Sequence, residues 1–194
     1  MQKIHLIRHS ITEASKNSLI YGSTDSPIIP EGEQLILQRR NNNLFPSVDE
    51  NCRFYTSGMK RTETTLRLAY GDVRHKIVPD LCEYSFGKYE LTPYNKDSIN
   101  IEELAFLRLH TNSEYITTNK DVSNFITRIN RGLDSILSDT DNDAVAVCHS
   151  GTIATLMMML FSDKHTTLDY WFPDPCEGYT LIYENKKLLN YTKF

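Results

Sequence analysis

The sequence predicts an α/β protein, a three-layer α/β/α arrangement whose central sheet is mostly parallel. Short apolar segments of strand character alternate along the chain with longer segments of helical period, such as 144–148 after 121–137. The first strand, 3–7, and the strand at 144–148 are apolar enough to lie inside the sheet, covered on both faces. The 194 residues suit a single domain, 1–194, that can bury a substantial core.

The first half of the chain begins with the strand 3–7, which ends in Arg8 and His9. The turn-rich segment 21–27 is expected to fold over the end of that strand. Pro30 then suits the first position of a helix, because its fixed φ and missing N–H cost nothing there. The elements predicted next are a strand at 52–56, a helix at 59–70 and a strand at 73–78.

In the second half, residues 91–118 lack strand character and predict a mainly helical excursion. We expect this excursion to cover one side of the functional site that is described below. The segment 121–137 repeats apolar residues on one face, as an amphipathic helix does. The strand 144–148 is followed by a helix at 153–161 that is apolar almost all round, and we expect it in the core. The last elements are strands at 179–183 and 188–192, which predict a terminal hairpin.

Composition and charge exclude several classes of protein. The net charge of −4 disfavours a nucleic-acid or anionic-membrane partner. The four cysteines are widely spaced, which argues against a disulfide framework and a zinc module. No signal segment or long apolar run is present, so we expect a cytoplasmic protein with reduced thiols. We expect no metal and no cofactor, and the sequence leaves open whether the chain is a monomer or a homodimer.

Two strands end in the same way, with Arg8-His9-Ser10 after the first and Cys148-His149-Ser150 after the later one. A lone histidine at a strand end is usually structural, but two in equivalent positions favour a functional site. Ligands bind at the carboxyl ends of the strands in open α/β sheets, so the two imidazoles are expected to face one another across a pocket.

Two arginines fit the same pocket. Arg8 and Arg61 each lie where a strand gives way to a loop or helix, and guanidinium groups bind phosphate oxygens in a fork geometry. A surface ion pair is the alternative for either one. Arg39, Arg40 and Lys60 have no such placement and are interpreted as solvated charges.

The chain resembles the histidine phosphatase superfamily, also called phosphoglycerate mutase-like. Its motifs are matched in family order by Arg-His-Ser-Ile-Thr at 8–12, the turn at 21–32, the Ser-x-x-x-Arg helix start at 57–65, the glutamate loop at 81–90 and Cys-His-Ser-Gly at 148–151. The glutamate loop looks closest to the small phosphatases, including those that act on α-ribazole phosphate or sugar phosphates.

The resemblance implies a role for each matched residue. His9 would attack phosphorus and become a phosphohistidine, while Glu83 would protonate the leaving oxygen and later activate water. The phosphate-binding set would be Arg8, Arg61, His149 and Ser150. An imidazole titrates near neutral pH, so neighbouring guanidinium charge would keep His9 neutral and nucleophilic.

The chain departs from the family pattern at several positions. Ser10 and Ser150 stand where the family has glycine, and we expect both to narrow the phosphate pocket. Ser15 occupies the usual place of an asparagine, and Asn17 lies two residues on. These two residues and Tyr21 are the possible substrate contacts.

The sequence therefore favours a metal-independent phosphomonoesterase, in which a small phosphate ester forms a phosphohistidine. A phosphoglycerate mutase is less favoured, because mutases of this family carry a longer insertion than 194 residues comfortably allow. A third hypothesis, motivated by Ser10, is a protein that binds a phosphate ligand without turnover.

Overall fold

The middle layer of the protein is one sheet of six strands. They are β1 (Gln2–Arg8), β2 (Arg53–Thr56), β3 (His75–Ile77), β4 (Ala144–Cys148), β5 (Gly178–Glu184) and β6 (Lys187–Lys193). Their order is β3-β2-β4-β1-β5-β6, parallel from β3 to β1 and antiparallel across β5 and β6. This computed structural model describes residues 1–94, 119–165 and 167–194. The predicted mostly parallel sheet, with the first strand inside it, is confirmed.

Helices cover both faces of the sheet. They are α1 (Glu13–Lys16), α2 (Pro30–Asn41), α3 (Lys60–Tyr70), α4 (Lys120–Asp139) and α5 (Ser150–Leu160), with short 3-10 turns at Pro79–Leu81, Gly87–Tyr89 and Leu168–Trp171. Because side chains alternate along a strand, Val145 and Val147 pack toward α2 and α3. Ala144 and Ala146 pack toward α4 and α5.

The element boundaries differ from the predicted ones mainly at α5. This helix begins at Ser150, three residues before the predicted start at 153, and His149 is its N-cap. The carboxylate of Glu83 accepts the Gly151 N–H at 2.8 Å, so a distant loop satisfies a donor of the first turn. Such a cap cannot be inferred from local sequence. Of the predicted excursion at 91–118, residues 95–118 lie outside the described residues.

The predicted terminal hairpin is confirmed as β5 and β6. Its two turn residues, Asn185 and Lys186, have φ of 50° and 62°, the left-handed values that two-residue hairpin turns require. Within the described ranges, no helix is both long and apolar enough to cross a membrane. The four cysteines are unpaired.

Arg39 is not the solvated charge that the sequence suggested. Only 13% of its side chain is exposed, and its Nη1 lies 3.3 Å from Oε1 of Glu177. Glu177 immediately precedes β5, and the sheet brings it against α2 from far along the chain. The prediction was wrong because this partner is distant in sequence.

Candidate active site

His9 follows directly after β1 and is only 3% exposed. Its Nδ1 lies 2.7 Å from the carbonyl oxygen of Ser10. Because a carbonyl can only accept, Nδ1 must carry a proton and donate it to this bond. A neutral ring then has its lone pair on Nε2, which can act as a nucleophile.

His149 occupies the equivalent place after β4. The two strands are parallel neighbours with Arg8 opposite Cys148, so the two histidines leave the sheet side by side. Their ring centroids are 5.3 Å apart, edge to face, as the sequence predicted for facing imidazoles. The Nε–H of Arg61 donates to Nδ1 of His149 at 3.3 Å. The remaining proton of His149 is therefore on Nε2, which donates to the Ser57 hydroxyl at 2.8 Å.

Burial and positive charge keep both imidazoles neutral. For His9, burial is the larger cause that holds the pKa well below 6.5, followed by the charges of Arg61 and Arg8. For His149, burial again lowers the pKa well below 6.5, with Arg61 next in importance. The sequence identified the guanidinium groups as the cause, whereas burial contributes more.

Arg61 enters the site from the first turn of α3 and is 1% exposed. Arg61 bonds to the loop at 21–27, which the sequence predicted to fold over the end of β1. Its Nη1 donates to the Thr24 carbonyl at 2.7 Å and its Nη2 to the Gly22 carbonyl at 2.6 Å. With the bond to His149, these contacts occupy most of the donors of Arg61, which fixes its orientation.

Arg8 has more donors available for a ligand. Its Nη1 donates to the Pro173 carbonyl at 2.8 Å. Its Nε is buried and has no hydrogen-bond partner among the described residues. A buried guanidinium N–H without a partner is costly unless an acceptor arrives, and a phosphate oxygen is such an acceptor.

Glu83 brings a carboxylic acid to the same end of the sheet. Its Oε2 accepts the Gly151 N–H at 2.8 Å and its Oε1 accepts the Tyr84 N–H at 3.0 Å. Burial of the carboxyl group outweighs these bonds and raises the pKa of Glu83 above 4.5. Arg128 of α4 donates to the Glu83 carbonyl at 3.1 Å and anchors this loop. The site therefore contains a carboxylic acid that holds its proton more firmly than an exposed one.

Tyr21 is the predicted substrate contact that the structure brings near His9. The ring centroids of Tyr21 and His9 are 6.3 Å apart, and the guanidinium carbon of Arg61 lies 5.2 Å from the tyrosine ring centre. The hydroxyl of Tyr21 accepts a hydrogen bond from Thr12 at 2.9 Å.

The other predicted contacts lie differently. The hydroxyl of Ser15 donates to the Thr12 carbonyl at 2.9 Å and accepts the Thr12 N–H at the same distance, so it caps α1. Asn17 is exposed at the C-cap of α1, and within the described residues no side-chain hydrogen bond joins it to the site. Ser150 is partly buried at the first position of α5, beside His149.

The side chain of Ser10 is bonded to α2. Its hydroxyl donates to the Gly32 carbonyl of α2 at 2.7 Å, and its N–H donates to Thr65 Oγ1 at 3.1 Å. That Ser10 narrows the pocket stays a prediction; α2 approaches closely enough here for the Gly32 carbonyl to accept the serine hydroxyl. A side chain on Gly32 would prevent this approach, since its Cβ would lie 2.3 Å from the Ile11 carbonyl oxygen.

Glu90 had no predicted role, although it belongs to the matched glutamate loop. Its carboxylate accepts the N–H groups of Gly22, Ser23, Thr24 and Phe86 at 3.0–3.1 Å. Burial opposes the charged form, but these hydrogen bonds prevail and lower the pKa of Glu90 to about 2. Glu90 therefore holds the loop whose carbonyls orient Arg61.

Ser57 was matched to a motif but was also given no role. It accepts from His149 and lies 3.2 Å from the Thr62 hydroxyl, which in turn donates to the Met59 carbonyl at 2.7 Å. This series of hydrogen bonds fixes the tautomer of His149. Across the described ranges, no cluster of three or more metal-ligating side chains is found.

Comparison with known proteins places this geometry in a family. The model of the histidine phosphatase superfamily (branch 1) matches residues 4–190. A search of curated proteins finds no match. The fold is similar to that of a phosphoserine phosphatase from Entamoeba histolytica (TM-score 0.78, 22% identity, 97% of this chain and 94% of that one). It is similar to the α-ribazole phosphatase of Shigella flexneri (TM-score 0.74, 20% identity, 96% of this chain and 93% of that one). It is also similar to a phosphoglycerate mutase from Bacillus anthracis (TM-score 0.76, 20% identity, 100% of this chain and 91% of that one). Because the family model covers nearly the whole chain, the protein belongs to the histidine phosphatase superfamily.

Proposed function

We propose that the protein is a metal-independent phosphomonoesterase that hydrolyses a small phosphorylated metabolite through a phosphohistidine at His9. The observation that carries the proposal is the bond from His9 Nδ1 to the Ser10 carbonyl, which leaves the Nε2 lone pair of a neutral ring available in a cationic pocket. Arg8, whose buried Nε has no partner within the described residues, would take the phosphoryl oxygens together with Arg61.

The reaction would proceed in two steps. In the first, Nε2 of His9 forms a bond to phosphorus, the bond from phosphorus to the leaving oxygen breaks, and Glu83 gives its proton to that oxygen. In the second, Glu83 takes a proton from water, the resulting hydroxide attacks phosphorus, and the N–P bond breaks to release phosphate and neutral His9. The raised pKa of Glu83 suits both steps, because the group must hold and accept a proton near neutral pH.

The first experiment measures hydrolysis of p-nitrophenyl phosphate and a panel of natural phosphate esters in EDTA. We expect activity to persist in EDTA and to be abolished in His9→Ala. His75→Ala is the matched control, since His75 lies at the start of β3, at the opposite end of the sheet from His9. Loss of activity in EDTA, or turnover by His9→Ala, would overturn the mechanism.

A second experiment tests Glu83 as the acid. Alkyl phosphates have poor leaving groups that need protonation, whereas p-nitrophenolate leaves with little help. Glu83→Gln should therefore slow alkyl ester hydrolysis at least about tenfold more than p-nitrophenyl phosphate hydrolysis. Equal losses for both substrates would remove Glu83 from this role.

A mutase is the second candidate function, and chain length does not argue against it. The protein covers 91% of the phosphoglycerate mutase structure from Bacillus anthracis, so no long insertion separates the two chains. Incubation with 3-phosphoglycerate and a bisphosphoglycerate primer distinguishes the candidates. A phosphatase releases inorganic phosphate, whereas a mutase yields the 2-phospho isomer.

A further inference from the structure

A groove of about 350 Å³ lies at the amino ends of β2 and β3, at the end of the sheet opposite to His9 and Arg61. Among the residues that line it are Arg53, Tyr55, Arg74, Lys76 and Asp139. Its volume is within the roughly 300–1,000 Å³ range of small-molecule sites. Nothing in the proposed reaction uses this groove.

The strand register places two arginines of the groove side by side. Phe54 of β2 pairs with His75 of β3, so Arg53 and Arg74 each stand one residue before that pair. Neighbouring strands are only about 4.8 Å apart, and like charges placed directly across them are destabilising. Neither arginine forms an ion pair with another described residue. The charge of Arg53 also acts on Asp139, which lines the groove and is paired with Lys76, so the groove carries three cationic side chains and one carboxylate.

The other charged groups around the groove are already paired. Asp139, at the end of α4, accepts a hydrogen bond from the Tyr55 hydroxyl at 2.7 Å and forms an ion pair with Lys76. His75 lies 2.7 Å from Glu63 on the other face of β3. Asp139 and Glu63 are thus already paired with Lys76 and His75. The two arginines therefore give the groove an excess of positive charge.

We propose that this groove binds a compact anion with at least two linked phosphate groups, of which pyrophosphate is the simplest example. Each guanidinium can contact one phosphate group with a pair of parallel N–H donors, and the two arginines lie at the starts of adjacent strands, so one ligand could contact both. The ligand would relieve the repulsion between Arg53 and Arg74. The proposal does not depend on the chemistry at His9.

The test is a pyrophosphate titration of the full chain, followed by NMR of the arginine Nε–H signals at low ionic strength. Pyrophosphate should shift the signals of Arg53 and Arg74 on a binding curve of their own, separate from the curve of Arg8 and Arg61. The apparent affinity at the groove should fall as NaCl is raised. The proposal is overturned if only the signals of Arg8 and Arg61 move.

Variants then assign the binding to the groove. Arg53→Gln combined with Arg74→Gln should weaken the affinity of the groove for pyrophosphate at least about tenfold. The signals of Arg8 and Arg61 should still respond to pyrophosphate in this double variant. Arg40→Gln combined with Lys187→Gln removes the same charge from exposed positions elsewhere and should leave groove binding unchanged. An equal loss in both double variants would mean that pyrophosphate responds only to overall charge, and would refute the proposed site.

Discussion

The stability of the protein should depend on the protonation of His5, a buried residue of β1. His5 is 4% exposed, and its Nδ1 lies 2.8 Å from the Thr180 hydroxyl of β5. Its Nε2 is buried with no hydrogen-bond partner among the described residues. Burial lowers the pKa of His5 from 6.5 to about 4, with Lys3 acting in the same direction and Asp143 opposing it.

The sign and size of the effect follow from this shift. Between pH 6.5 and about pH 4 the unfolded chain binds a proton at His5 and the folded chain does not, so acid favours unfolding. The stabilisation is complete above pH 6.5 and is lost as the pH falls toward 4. The full loss is on the order of 3 kcal/mol, of which about 2 kcal/mol is lost by pH 5.

The assay is urea unfolding of the wild type and of His5→Gln at pH 7.5 and pH 5. The wild type should lose about 2 kcal/mol more unfolding free energy between these two pH values than the variant does. The neutral buried imidazoles of His9 and His149 are present in both proteins, so their contribution cancels in the comparison. If the two proteins lose stability equally, His5 is not the group whose protonation destabilises the fold.

Three further predictions concern the loops around the site. Glu90→Gln should raise KM for a phosphate ester about tenfold with a smaller change in kcat, because the loop that orients Arg61 loses its charged anchor; steady-state kinetics would show it. Gly22→Ala should destabilise the protein by at least about 2 kcal/mol in urea unfolding, since the new Cβ would lie 1.7 Å from the Tyr84 carbonyl oxygen. Ser10→Gly should cost about 1 kcal/mol in the same assay yet change kcat/KM by less than about twofold, because the lost hydroxyl bonds α2 and not the substrate.

The fold could be predicted from the sequence because its main signals are local. The apolar strand at 144–148 and the one-sided apolar helix before it appear as β4 and α4. The shared strand ending at His9 and His149 also predicts their contact, since parallel neighbours end at the same edge. These features depend on residues close together in the chain.

The parts that escaped prediction depend on partners far along the chain. Glu90 organises the loop at 22–24, and its role is visible only once both loops are folded. Arg39 is paired by Glu177, 138 positions away. No periodicity or motif spacing carries that information, so the charged groups that hold loops in place are harder to assign than the groups that end strands.

Ser10 shows that a departure from a family pattern has to be judged by where the new side chain bonds as well as by how large it is. A serine in place of glycine beside the nucleophile suggests a crowded pocket, and hence a protein that binds phosphate without turnover. In the fold its hydroxyl turns to the Gly32 carbonyl, while its own carbonyl accepts the Nδ1 proton of His9. The bond from its N–H to Thr65 is a third contact that holds the same residue. The substitution therefore commits its hydroxyl to α2 and tethers the group that sets the tautomer of His9, so it gives no reason of its own to prefer a non-catalytic protein.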